Sequence, residues 1–242
     1  MRRPTVLAAL ALAGSVLACS TSVGAGEEWP GERDSAAATA RRIEFEWPLA
    51  GSGPISDYIR ALGAELGRAS PRSDARWRFT VVRDLGVNAF AIGDGRIYVT
   101  EGVVTFADDE AEVAAILAHE MGHELAGHLR PQPRKTGFFG GSSRQEDATT
   151  VGSVTQPLDP EKEMEADRIS LDLLERAGLN PRAALTLAER LTRQAGNAGR
   201  HFADAARIER LRELLAGRDV GGRRDSAQFR ALKSSLAARD AD

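Results

Sequence analysis

Val113, Ala114, Ile116, Leu117 and Ala118 run directly into His119-Glu120-Met121-Gly122-His123. Asp109, with Glu112 three residues later, is a capping-box variant, and Pro131 ends the pattern. One helix is therefore expected from Asp109 to about Leu129. A helix this apolar belongs inside a core, where His and Glu are costly unless they are paired or bind something. Whatever the chain folds into must enclose this helix and supply partners for its ionisable side chains. Residues four apart lie about 40° apart around a helix and one turn along it. His119 and His123 thus project from one face at a spacing that can grip one ion. Glu120 is offset, placed to reach a water on that ion rather than the ion itself. This is the H-E-x-x-H pattern of metal-dependent peptide hydrolysis, in which zinc acidifies a water and the carboxylate takes its proton. The alternative is a chance pentapeptide on a surface helix, which the apolar flank argues against.

A third ligand must come from elsewhere. The longer pattern H-E-x-x-H-x-x-G-x-x-H is absent, and His128 lies nine residues past His119. Continued along the helix, His128 points to the opposite side, as a structural or surface histidine. Downstream, Glu161, Glu163, Glu165 and Asp167 open another predicted helix. Glu163 and Asp167 share a face, as a ligand and the residue behind a ligand would, and Glu161 complements the helix dipole. A single cysteine excludes an internal disulfide and a Cys-based zinc cluster. With 32 basic and 35 acidic residues the net charge is −3, which argues against a nucleic-acid partner.

The other segments give the organisation. Arg2 and Arg3 precede an apolar run over residues 6–18, which has signal-peptide length and is short for a membrane span. Val16-Leu17-Ala18-Cys19 resembles the lipobox of bacterial lipoproteins, with Cys19 as the lipidated residue and residues 1–18 removed. The alternative is a secreted protein cut near Ala25. Ser20, in place of an Asp, leans towards the outer membrane. Residues 19–50 read as a flexible tether, 51–216 as the folded domain and 217–242 as a charged tail. Within the domain, Ile55, Ile59, Leu62 and Leu66 mark a helix, and residues 77–82 a strand. Residues 87–92 and 96–100, joined by Gly93-Asp94-Gly95, form a predicted hairpin. Residues 131–160 form a long loop in which Phe138 and Phe139 cover a cleft, touch membrane or plug a small core. Further helices are expected over 161–177, from Asn180-Pro181 to about Ala195, and over 203–216. The fold class is α+β: mostly helical, zincin-like, with a small antiparallel sheet beside the H-E-x-x-H helix.

His119-Glu120-Met121-Gly122-His123, followed by Glu163-Met164-Glu165-Ala166-Asp167-Arg168, resembles the zinc metallopeptidases of the HtpX and CAAX-prenyl-protease type. The nearest branch is that of soluble periplasmic BepA-like and LoiP-like lipoproteins. The likeness extends over residues 55–215 and includes Asn88-Ala89-Phe90-Ala91, Gly95-Arg96-Ile97-Tyr98-Val99 and Ala177-Gly178-Leu179-Asn180-Pro181. The resemblance implies one zinc held by His119, His123 and Glu163, with Glu120 catalytic and Asp167 orienting a ligand histidine. Glu165 fills the variable position. It also implies a substrate strand at Asn88, Ala89 and Phe90. His201 stands where that branch carries a histidine near the zinc, as a fourth, blocking ligand or a helper to the transition state, although Phe202 replaces the proline that follows it there. The expectation is a zinc endopeptidase in the periplasm, anchored to the outer membrane through Cys19, acting on misfolded or stalled envelope polypeptides. Envelope assembly machinery is a further partner class. The competing expectation is a non-proteolytic assembly factor whose zinc is structural or self-inhibited.

Overall fold

The computed structural model describes residues 29–130, 159–194, 205–218 and 220–239. The expected signal segment, Cys19, most of the 131–160 loop with Phe138 and Phe139, and His201 lie outside the described residues. In chain order the elements are α1 (Glu32–Glu46), α2 (Pro54–Ala69), β1 (Arg78–Val82), β2 (Ala89–Ala91), β3 (Arg96–Thr100), α3 (Glu101–Phe106) and α4 (Glu110–Leu125). They continue with α5 (Pro160–Arg176), α6 (Arg182–Gln194), α7 (Ala205–Leu215) and α8 (Ala227–Arg239). No helix among the described residues is long and apolar enough to cross a membrane.

Helix α4 is the axis of the molecule, and every residue from Glu110 to Leu125 is buried. Its start follows the capping logic. Asp109 accepts the Glu112 N–H at 3.0 Å, and the Glu112 carboxylate accepts the Asp108 N–H at 2.9 Å. Arg190 then clamps Glu112 at 2.6 Å and stacks on Phe106. On one side α4 meets α2 and the sheet, and on the other α5 and α6. Gly122 allows the closest approach. A Cβ there would lie 2.7 Å from the Ala166 carbonyl oxygen, so α5 touches α4 backbone to backbone. That contact brings Glu163 and Asp167, on either side of Ala166, over the two histidines.

The sheet order is β1-β3-β2. The β2–β3 hairpin is antiparallel as the sequence suggests, with Phe90 opposite Tyr98. β1, however, pairs parallel to β3, Phe79 opposite Ile97, so the sheet is mixed rather than purely antiparallel. The hairpin folds back beside β1 with β3 innermost, and alternation along a strand does not encode strand order. Residues 83–88 make this crossing while held to the start of α3, through Gly102 N–H to Asp84 O and Thr100 Oγ1 to Gly86 O. At the hairpin tip Gly93, Asp94 and Gly95 all have positive φ. Asp94 pays for its left-handed backbone with ion pairs to Arg78 and Arg96.

Two stretches expected to be loose are structured. Residues 32–46, assigned to the tether, form α1. Its Ala36, Ala40 and Ile43 are buried, and Ala40 and Ile43 pack with Val82, Phe90 and Tyr98 on the sheet face opposite α4. Phe90 stacks on Tyr98 at 5.5 Å and meets Trp47 edge-on at 5.4 Å. Small alanines carry this contact, so the segment shows almost no hydrophobic periodicity. At the other end, residues 227–239 of the expected tail form α8, with Phe229 buried against Tyr58. The chain before it closes α4: Arg224 O accepts the Ala111 N–H, and Arg223 and Ser226 both bond Glu110.

The last turn of α4 carries an unusual carboxyl. Glu124 is buried facing Glu32 of α1, and it accepts the Gly95 N–H at 3.1 Å. Burial and the Glu32 charge push it up to about 7. A carboxyl raised in the folded state favours folding while protonated, and that contribution is lost as pH rises from about 4.5 through about 7. Glu124→Gln keeps the acceptor and removes the charge. It should stabilise the apo-protein by on the order of 2 kcal/mol at pH 8 and by nothing below about pH 4.5, read from urea unfolding at the two pH values.

Candidate metal centre

His119, His123 and Glu163 are all buried, with their ligand atoms within 4.8 Å of one another. His119 Nε2 lies 3.1 Å from His123 Nε2 and 3.3 Å from a Glu163 oxygen, and His123 Nε2 lies 3.7 Å from the other Glu163 oxygen. Bonds of 2.0–2.1 Å to a tetrahedral ion place its ligand atoms about 3.3 Å apart, so the His119–His123 and His119–Glu163 separations are close to the edges of such a site, while His123 approaches the other Glu163 oxygen less closely. The imidazole rings stand perpendicular, at 88°. Helical spacing sets the two histidines, and the Gly122–Ala166 contact sets the carboxylate.

Each histidine presents Nε2 to the other ligands and turns Nδ1 outward. Behind His119, Asp167 Oδ1 is 2.9 Å from Nδ1. Asp167 is fully buried and gripped by Arg207, with Nε 3.2 and 3.1 Å from its two oxygens and Nη2 2.6 Å from Oδ1. Burial alone would raise the Asp167 carboxyl, but Arg207 and His119 hold it well below the usual carboxylate range. For His119, burial and Arg207 lower the basicity, and Asp167 with Glu163 overcomes them, so the net shift is upward. For His123 burial dominates and the shift is downward.

Glu120 sits beside the trio, 2% exposed, and its Oε2 accepts the Ala91 N–H at 3.1 Å. It therefore ties α4 to strand β2. Asn88 precedes β2 and donates its N–H to Thr100 Oγ1 at 3.0 Å. Ala89 and Phe90 are buried in β2, with the Phe90 side chain under α1, away from α4.

The structure corrects the direction assigned to His128. Helix α4 ends at Leu125, before the position the sequence suggested. Gly127 takes a φ of 70° and donates to Glu124 O at 3.1 Å, while His128 N–H donates to His123 O at 3.0 Å. This Schellman closure reverses the chain. His128 therefore folds back onto the site instead of continuing around the helix. Its Nδ1 lies 3.0 Å from His123 Nδ1, and its Nε2 lies 3.1 Å from Glu165. Gly127 in the sequence is the signal that places this stop. Arg207 gave no such sign, because an arginine early in an amphipathic helix reads as surface.

The model of peptidase family M48 matches residues 56–137. The metalloprotease LoiP of Escherichia coli is 31% identical over 184 residues, which cover 66% of this chain and 72% of that protein. The chain belongs to peptidase family M48. The mitochondrial metalloendopeptidase OMA1 of Schizosaccharomyces pombe is 29% identical over 67% of this chain and 53% of its own length. The beta-barrel assembly-enhancing protease of Escherichia coli is 26% identical over 64% and 36%. The M48 chain thus spans about half of the first of these two relatives and about a third of the second. The matched family segment includes His119, Glu120 and His123, while Glu163, Asp167 and Arg207 come from beyond it.

The Arg207 clamp makes a stability prediction for this M48 site. Arg207→Ala leaves Asp167 buried with the His119 ring as its remaining partner at 2.9 Å and should cost about 3 kcal/mol of apo-protein stability. Arg207→Lys, which cannot span both oxygens, should recover less than half of that. Urea unfolding measures both, and a loss below about 1 kcal/mol for the alanine would mean that His119 alone satisfies Asp167.

Proposed function

We propose that the protein is a zinc-dependent endopeptidase. The observation that carries the reading is the buried His119–His123–Glu163 trio at tetrahedral spacing, with Glu120 beside it on the same helix. Zinc bound there would polarise the scissile carbonyl and acidify the attacking water. Glu120 takes the proton from that water on its carboxylate and passes it to the leaving nitrogen. Its bond to the Ala91 N–H holds the carboxylate against β2. Ala91 and Ala89 flank Phe90, which is paired with Tyr98, so their backbone groups point away from β3. The Ala91 N–H is held by Glu120, and an extended polypeptide laid along this edge pairs through the remaining main-chain groups and needs little sequence preference. Asp167 and Arg207 fix the His119 ring, so that little reorganisation accompanies the reaction.

The proposed compartment is supported by Arg2, Arg3, the apolar run and Cys19. On this reading the protein is a periplasmic lipoprotein at the outer membrane, and its substrates are misfolded or stalled envelope polypeptides.

Casein hydrolysis should depend on zinc, stop with a chelator and return on adding zinc. Glu120→Gln should keep zinc and fold but lose turnover by a factor of about 100 or more. Retention of more than about a tenth of wild-type turnover would remove Glu120 as the base. A wild-type protein that holds zinc yet cleaves nothing would favour the assembly-factor reading. For the anchor, Cys19→Ser should move the protein from the membrane fraction to a soluble or uncleaved form. Unchanged fractionation and size would remove the lipoprotein assignment.

A further inference from the structure

We propose that His128 is a positioning residue for the metal centre, holding His123 in its ligand tautomer, with Glu165 anchoring it from the surface. This rests on the metal-site reading above. The argument starts at the outer end. An ionised carboxylate only accepts hydrogen bonds. Glu165 Oε2, 3.1 Å from His128 Nε2, therefore places the His128 hydrogen on Nε2. His128 Nδ1 is then a bare lone pair. It lies 3.0 Å from His123 Nδ1, and two lone pairs do not face each other at that distance, so the hydrogen between them belongs to His123. That leaves His123 Nε2 bare and directed at His119 Nε2 and Glu163. The proton order Glu165, His128, His123 thus starts from one acceptor-only group and delivers the tautomer that a metal ligand requires, with the His119 and His123 Nε2 lone pairs 3.1 Å apart and in need of a cation between them.

Asp167 achieves the same for His119 in one step, at 2.9 Å. For His123 the connection to a carboxylate runs through the His128 ring, which lies between His123 Nδ1 and Glu165. The local backbone fits this role. The Gly127 reversal and the His128 N–H bond to His123 O place the second ring beside the first. The two ends differ in setting: the His128 side chain is 6% exposed and that of Glu165 is 44%. The ring that touches the ligand is locked, and the carboxylate that orients it is reached from solvent.

The test measures zinc affinity by competition with a chromophoric chelator, alongside urea unfolding of the zinc-free protein. His128→Phe should raise the zinc dissociation constant ten- to a hundredfold, as loss of a hydrogen bond behind a ligand does elsewhere. Glu165→Leu removes the acceptor at a half-exposed site and should raise it at least threefold, with the apo unfolding midpoint unchanged. Glu165→Gln still offers an acceptor oxygen and should stay within twofold of wild type. If His128→Phe does not fold, the two Glu165 variants decide by themselves. Zinc affinity within twofold of wild type in Glu165→Leu, or lost equally in Glu165→Gln and Glu165→Leu, overturns the proposal. So does an affinity loss matched by an equal loss of apo stability. A wild-type protein that binds no zinc would remove the metal-site reading and the relay together, whereas wild-type binding with unchanged variants removes the relay alone.

Discussion

Burial of α4 on every side is the constraint from which the rest of the fold follows. A helix of sixteen residues that includes Glu110, Glu112, His119, Glu120, His123 and Glu124 has no solvent to satisfy them. Each must therefore be met by another element. Arg223, Ser226 and Tyr58 meet Glu110, and Arg190 and Thr186 meet Glu112. Strand β2 supplies an N–H to Glu120, and the hairpin tip supplies one to Glu124. Unpaired, any of these groups would be strongly unfavourable. The surrounding helices are thus placed as much by polar matching as by apolar packing.

The two ligand histidines are backed by different chemistry. His119 leans on a sealed ion pair, Asp167 with Arg207, which fixes its ring in a dry environment. His123 leans on a second imidazole whose far end reaches a half-exposed carboxylate. A charged and buried support tolerates little change. A support that ends at the surface tolerates more. The same α4 face therefore carries one rigid ligand and one whose environment continues to solvent.

Much of this was legible in the sequence, because α2, α5, α6 and α7 carry apolar periodicity and α4 is a long apolar run opened by a capping box. Helices α1, α3 and α8 and the strand order of the sheet were not. Helix α1 packs through alanines, whose burial leaves little amphipathic contrast. Helix α8 buries Phe229 and Leu232 within a run rich in polar and charged residues. The parallel β1–β3 pairing depends on a crossover that alternation does not encode. At the site, His119, His123, Glu163 and Asp167 stand where helical spacing puts them. His128 was misdirected because the helix was extended past Gly127, and angular arithmetic holds only while the helix lasts. Arg207 lies eighty-eight positions from His119, and nothing local to it announces the partner.

The α4 cap has a consequence for the order of events during synthesis. Its first turn is finished by Arg224 O and by Arg223 and Ser226, the latter two 113 and 116 positions downstream of Glu110. Arg207, which neutralises Asp167, also comes late. A chain emerging amino end first exposes His119 and Glu120 long before the residues that stabilise them exist. Until those residues arrive, α4 has several unmatched charges and no reason to bury itself. The centre therefore assembles only once residues 207–226 have emerged, and a chain cut before them would carry the hydrolytic residues without the enclosure that aligns them.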